Sequence, residues 1–379
     1  MARDTADGFN EDRFAPVRAA FEANLASGAD LGASFCATLE GETVVDLWGG
    51  WADAEKTRPW ARDTIVNVYS TTKTMTAMTA LLLADRGELD FDAPVARYWP
   101  EFAANGKADI KVSQLMSHSA GLSGWVEPVK GDILYDWERA TALLAAQAPL
   151  WAPGTAPGYH AVTQGYLVGE VVRRITGKSL GTVFREEFAE PLGADFHIGL
   201  PASEDGRVAD LIPPPPNDAS IGEGASLYRT DNPPIDVLAT RTRAWRGAEI
   251  PAAGGTGNAR SVAEIHAILA NGGVAKGRRF LSEAGCRKAL ELQIEGKDLV
   301  LGMPVRYGMG FGLGGATLPL PSPNTIFWGG YGGSLAIIDM DARTTFAYAM
   351  NRMAGTTTGD MRAFGLAMAM WQGLGLIPA

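Results

Sequence analysis

A serine followed three residues later by a lysine, Ser70-Thr71-Thr72-Lys73, stands where a strand-like run, Ile65 to Tyr69, gives way to an uninterrupted helix-forming run, Thr74 to Arg86. Three residues on a helix turn a side chain through roughly 300°, so Ser70 and Lys73 share a face with the lysine one turn behind the hydroxyl. A serine becomes a nucleophile only when something removes its proton. An ammonium cannot do so, and the pairing works only if desolvation lowers the Lys73 pKa. Met75, Ala77, Met78, Leu81, Leu82 and Leu83 cover nearly every direction of the following helix, as a buried central helix would require. Its N-terminus also offers free backbone donors and a partial positive charge to a developing oxyanion. The simpler alternative is that Ser70 only caps the helix and Lys73 is a solvated first-turn residue.

The elements that must hold these residues read as a discontinuous α+β arrangement. Phe14, Val17, Phe21 and Leu25 recur at helical spacing within 10–26. Leu31 to Leu39 and Thr43 to Trp48, joined across Glu40-Gly41-Glu42, read as a β-hairpin. Near the other end, Thr325 to Trp328, Ser334 to Met340 and Thr344 to Met350 read as strands, and Thr358 to Leu374 as a last helix. The two ends are expected to share one antiparallel β-sheet flanked by helices, with 1–70 and 250–379 forming an α/β sheet domain. Residues 71–249 then form an inserted, mainly helical domain, and the active site lies between the two. Helical candidates inside the insertion are Val112 to Met116, Thr141 to Ala148, Gln164 to Thr176 and Leu180 to Phe188. Pro213 to Pro216 and Pro233-Pro234 mark an extended excursion.

Bulk properties exclude several function classes. The 379 residues are long enough for a large core, and a formal charge of −10 argues against a nucleic-acid partner. No run approaches the ~18 apolar residues of a membrane span. The first residues are acidic where a signal peptide needs a basic start and an apolar core. Cys36 and Cys286 are too few for a disulfide framework and read as buried thiols, which together with the N-terminus gives a cytoplasmic expectation. His118, His160, His197 and His266 show no metal-ligand spacing, so neither metal nor cofactor is expected. A G-x-S-x-G elbow is missing: Gly332-Gly333-Ser334-Leu335-Ala336 falls one residue short, which leaves a Ser-His-Asp triad as the runner-up mechanism.

Further blocks accompany the Ser-x-x-Lys: Leu115-Met116-Ser117-His118-Ser119-Ala120-Gly121-Leu122, then Pro153-Gly154-Thr155 with Tyr159-His160-Ala161, and Gly165 to Glu170. Gly254-Gly255-Thr256-Gly257, Tyr307 to Gly312 and Trp328-Gly329-Gly330 complete the series. In this order the chain resembles the serine β-lactamase-like and penicillin-binding superfamily, in its class C-like branch of family VIII carboxylesterases, over about residues 12–372. The resemblance implies that Tyr159, in the tyrosine position of the family's Tyr-x-Asn element, is the third catalytic residue. A phenol beside two cationic neighbours would ionise or share its proton, so Tyr159 and Lys73 are alternative bases for Ser70. It also implies an oxyanion hole from the amides of Ser70 and Tyr331, and a substrate-lining strand at Trp328, Gly329 and Gly330. The alternative for that strand is a glycine-rich turn.

Two departures narrow the expectation. Trp328 stands where the family's strand lysine attracts a carboxylate, and Ala161 where its asparagine binds an amide. Both favour uncharged ester substrates over anionic drugs. The expected activity is hydrolysis of short-chain carboxylic esters through an acyl-enzyme on Ser70, with a small-molecule ester as partner and weak β-lactam turnover as a secondary activity. An acyltransferase on the same acyl-enzyme, or a non-catalytic penicillin-binding-like sensor, are the alternatives. Trp125, Tyr135, Trp137, Trp151, Tyr228 and Trp245 are candidate pocket aromatics.

Overall fold

The structure, a computed structural model, describes residues 4–215, 232–315, 318, 320–357 and 359–378. Its frame is a nine-stranded antiparallel sheet. In spatial order the strands are Asp7–Asn10 (β1), Glu42–Gly50 (β3), Gly32–Leu39 (β2), Thr344–Met350 (β14), Leu335–Asp339 (β13), Thr325–Gly329 (β12), Gly312–Leu313 (β11), Pro304–Tyr307 (β10) and Ile294–Lys297 (β9). The sheet therefore closes on a pairing between the two chain ends, β2 against β14, from Ala33↔Met350 to Leu39↔Thr344. The β2–β3 connection turns at Glu40 and Gly41, both at positive φ (50° and 88°), a tight hairpin turn that glycine makes accessible. Strands β12 to β14 and both arms of the hairpin fall where the sequence places them; β1 and β9 to β11 are additional.

Ala15–Ala26 (α1) and Met361–Gly373 (α11) pack on each other, whereas Ala259–Ala270 (α9) lies against β2, β13 and β14. Phe14, Val17, Phe21 and Leu25 are all buried, as their spacing predicts. The intervening chain carries Thr72–Asp85 (α2), Val112–Met116 (α3), Trp137–Ala146 (α4), Thr163–Thr176 (α5), Leu180–Phe184 (α6), Glu190–Leu192 (α7) and Arg243–Gly247 (α8). Helix α2 is buried from Thr72 to Leu83, with α5 and α6 on one side and Glu283–Arg287 (α10) on another. Val66–Asn67 (β4), Thr256–Gly257 (β6) and Phe196–His197 (β5) form a second small sheet that stitches the start of α2 to the helical region, and Val274–Ala275 (β7) with Arg278–Arg279 (β8) form a short hairpin. The strand-like run before Ser70 is thus shorter than predicted. It ends at Asn67, and residues Tyr69–Thr71 form a 3-10 turn that feeds α2.

Pro213 to Pro215 form no regular element, while Pro216 and Tyr228 lie outside the described residues. Among the described residues no helix is long and apolar enough to cross a membrane, and no group of three His, Cys, Asp or Glu side chains could hold a metal.

Behind β12 and β13 lies a buried charge cluster. Arg362, at the start of α11, donates to Asp30 Oδ1 (2.9 Å), Asp360 Oδ2 (2.6 Å), Arg352 O (2.8 Å) and Gly332 O (2.9 Å). Tyr348 Oη also donates to Asp30, at 2.6 Å. The Asp30 side chain has no exposure and its pKa is raised, chiefly by burial. Removing the guanidinium strands two carboxylates in a dry site, a change that costs about 3–5 kcal/mol. Arg362→Ala is expected to lower the urea unfolding free energy by about that amount. The deficit shrinks as pH falls through the raised Asp30 pKa and the carboxyl takes up a proton. A deficit under about 1 kcal/mol, or one that grows with acid, would show that the cluster does not anchor α11.

Candidate active site

Tyr69, immediately before the serine, has φ of 45°, outside the region a residue with a side chain prefers. Its ring is held edge-on by Trp245 (centroids 6.0 Å apart) and by Tyr331 (5.5 Å). The kink aims Ser70 into a cavity of about 410 Å³ walled by Trp125, Tyr159, Val162, Pro233, Leu301 and Tyr331, among others. Backbone strain beside a nucleophile persists only where surrounding contacts over-determine it, and the two aromatic edges supply those contacts.

Lys73 is fully buried. Its Nζ lies 2.7 Å from Ala161 O, 2.9 Å from Ala252 O and 3.0 Å from Ser70 Oγ. Desolvation lowers its pKa well below the ordinary ammonium value, and no carboxylate offsets that effect. A neutral amine has two N–H donors and one lone pair. The two carbonyls accept both donors, so the lone pair is left facing the Ser70 hydroxyl.

Tyr159 Oη donates to Ser70 Oγ at 2.6 Å. Burial raises its pKa, although hydrogen bonds with Ser70 and with the Trp328 indole pull the other way. The surroundings weaken the expected pair of cationic neighbours: burial lowers the Lys73 pKa well below the ordinary ammonium value, and the strand position carries an indole. The resting phenol therefore keeps its proton, contrary to the reading in which it ionises. In the resting arrangement both Tyr159 Oη and Lys73 Nζ donate to Ser70 Oγ; a Lys73 that has lost its proton would instead accept from the serine O–H across the same 3.0 Å.

Asp298, which sequence patterning missed, positions the tyrosine. It is completely buried; its Oδ1 accepts the backbone N–H groups of Tyr159 (3.1 Å), Val300 (2.8 Å) and Leu301 (2.8 Å), and its Oδ2 accepts from Tyr307 Oη (3.1 Å). His118 packs against Trp328 with centroids 5.3 Å apart, and its Nδ1 accepts the His160 amide. His160 donates from Nδ1 to Gly158 O (2.6 Å) and accepts at Nε2 from Leu122 N, and burial lowers its pKa to about 4. Both histidines brace the Tyr159 loop. Among the described residues no histidine is bonded to a serine hydroxyl, so the triad alternative finds no geometry.

The turn between β12 and β13 faces Ser70. Ser334 Oγ donates to Val68 O (2.8 Å) and lies 2.9 Å from Thr71 Oγ1, tying this turn to the nucleophile's own. The serine of the near-miss elbow is thus a structural tie. Gly330 serves packing rather than substrate access: a Cβ there would collide with the Val68 carbonyl and with Ser334 Oγ. Trp328 and Gly329 do line open space, in a second cavity beyond Tyr159.

The candidate aromatics divide. Trp125 lines the Ser70 cavity while its indole donates to Ala140 O. Trp137 does not: its indole donates to Glu170 Oε2 at 2.8 Å and its ring packs on Tyr166. Tyr135 also lies away from the cavity, 39% exposed, with its hydroxyl bonded to Thr242. Trp151 supports Gly158 and His160 from beneath, and Trp245 acts one step removed, through Tyr69. Helix N-termini, cores and loop supports all recruit large rings, so residue type alone did not separate these roles.

With that geometry in place, comparison with known proteins is consistent with it. The beta-lactamase family model matches residues 17–368. The esterase/beta-lactamase LipL of Mycobacterium tuberculosis (strain ATCC 25618 / H37Rv) is 36% identical over 363 residues, which cover 91% of this chain and 83% of that protein. A family VIII carboxylesterase structure is similar with a TM-score of 0.92 and 46% identity, covering 97% of this chain and 99% of the other. A penicillin-binding protein homologue from Caulobacter crescentus gives a TM-score of 0.91 at 40% identity with the same coverage. A family match over nearly the whole chain, with a relative 36% identical across 91% of it, means that this protein belongs to the beta-lactamase family.

Proposed function

We propose that the protein is a serine esterase that hydrolyses short-chain carboxylic esters through an acyl-enzyme on Ser70. The observation that carries this reading is the Lys73 nitrogen, buried, 3.0 Å from Ser70 Oγ and bonded to two carbonyls, in surroundings that lower its pKa well below the ordinary ammonium value. The serine proton passes to Lys73 as Oγ attacks the ester carbon. The amides of Ser70 and Tyr331 receive the oxyanion. As the intermediate collapses, Tyr159 gives its proton to the departing alcohol oxygen, and the resulting phenolate takes the proton held by the Lys73 ammonium, which restores both groups. Water then repeats the sequence on the acyl-enzyme, with Lys73 again the base.

Ester rather than β-lactam specificity is supported by the walls. Among the described residues that line the two cavities the only Lys or Arg is Arg306, and its guanidinium is taken by Glu295 Oε2 and Gly314 O. A substrate carboxylate finds no free cation among these described residues, which supports β-lactam hydrolysis as a weak secondary activity. An acyltransferase would share every step up to the acyl-enzyme and differ only in the acceptor. Two free, buried cysteines agree with a cytoplasmic setting.

Ser70→Ala is expected to reduce steady-state hydrolysis of p-nitrophenyl butyrate by at least about 10³-fold, and a fluorophosphonate probe to label Ser70 in the wild type. Label on another side chain, or full activity in the variant, ends this reading. With Lys73 as the base, log kcat/KM rises with unit slope on the acid side and is level up to about pH 10, because Tyr159 does not ionise in that range. A second ionisation inside the range would return the base role to Tyr159.

The same lysine has a stability signature. Its folded pKa is depressed, so between that value and the unfolded value the unfolded chain binds more protons and stability rises with pH. Relative to Lys73→Met, the wild type should gain about 1.4 kcal/mol per pH unit in that window, read by urea denaturation at several pH values. A difference that does not change with pH would mean that Lys73 is charged in the folded protein.

A further inference from the structure

A separate cavity of about 170 Å³ is lined by Tyr159 but not by Ser70. Leu301, Val305, Leu313, Phe327, Trp328 and Phe364 form its apolar walls. It shares Tyr159, Leu301 and Thr357 with the Ser70 cavity, so the two spaces meet at the phenol. Ser70 lines only the larger one. Arg306, at its edge, is neutralised by Glu295 at 3.0 Å and by the Gly314 carbonyl, so the space favours no anion.

We propose that this cavity seats the alcohol arm of the ester, and that the preferred substrates carry one compact apolar ring there, such as a benzyl or cyclohexylmethyl group. The inference rests on the acyl-enzyme reading above. In that reading the departing oxygen takes its proton from Tyr159, so whatever is attached to that oxygen extends past the phenol and into the space the phenol lines. The acyl arm stays with Ser70 in the larger cavity. An apolar cavity of ~150 Å³ accommodates a benzene ring, which makes this space sufficient for one ring and too small for a fused pair. Among its described lining residues the polar side chains are Thr357, Arg306 and the hydroxyls of Tyr159 and Tyr307; Arg306 is already paired and Tyr307 is bonded to Asp298, which suits a hydrocarbon group and disfavours a sugar or a charged headgroup.

The experiment compares kcat/KM for ethyl, benzyl, cyclohexylmethyl and 2-naphthylmethyl butyrate. All four give the same butyryl-enzyme, so deacylation is common to them and kcat/KM reports the alcohol arm. The benzyl and cyclohexylmethyl esters are expected to exceed ethyl butyrate by about ten-fold or more, and the naphthylmethyl ester to fall back. Filling the cavity with Leu313→Trp, or independently with Val305→Phe, should reduce the benzyl-to-ethyl ratio by about ten-fold. Equal rates for ethyl and benzyl esters, a ratio that both substitutions leave intact, or a preference for ethyl phenylacetate over benzyl acetate would overturn the assignment. Turnover of ethyl and benzyl butyrate that survives in Ser70→Ala would instead overturn the acyl-enzyme reading, whatever the ratio between the two esters.

Discussion

Everything in the site depends on an amine held out of water. A lysine in solution is an ammonium and has nothing to offer a serine; one that is enclosed beside the Ala161 and Ala252 carbonyls has its pKa lowered well below the ordinary value, because the charged form has no solvent and no carboxylate to stabilise it. The two carbonyls that receive its N–H groups do more than satisfy donors. They fix the direction of the lone pair. In the proposed mechanism desolvation and orientation together make this side chain the base, and the packing of α2, buried from Thr72 to Leu83, keeps water away from it.

The other groups would let the phenol and the proposed oxyanion amides work without a charged partner. Trp328 contributes a neutral N–H to the Tyr159 oxygen, and Asp298 acts only on the tyrosine backbone and on Tyr307. Arg362, which bonds the Gly332 carbonyl of the Tyr331 turn, is taken up by Asp30 and Asp360 and does not line the cavity. The turn is therefore held rigidly from behind while the space in front stays uncharged. This differs from an arrangement that recruits a carboxylate-bearing substrate, and it follows from two positions, 161 and 328.

Local patterning made much of this legible. The 31–50 hairpin, the three late strands and both terminal helices are periodic segments bounded by turn residues, and they appear with boundaries shifted by a few residues. Ser70, Lys73 and Tyr159 meet within hydrogen-bonding distance, as motif order implies. The parts that were not legible have a common cause. Strands β9 to β11 are two to four residues long and rich in glycine and proline, too short to show alternation. Asp298 binds an amide 139 residues away, and nothing local marks a carboxylate with a distant partner. Tyr159 looked ionisable because its neighbours were judged by type, whereas burial sets their charge. The aromatic candidates failed in the same way: Trp137 and Trp125 have equivalent sequence settings, and only long-range packing decides which one meets the cavity.

The pairing of β2 with β14 gives the molecule a temporal property as well as a spatial one. Residue 70 leaves the ribosome early, yet the sheet that carries the Tyr331 turn cannot close until a strand ending at residue 350 has emerged and crossed back to residues 33–39. Contacts so far apart in sequence form late in folding. The hydroxyl is accordingly made long before anything exists to awaken it, and a nascent chain carries a reactive serine in name only.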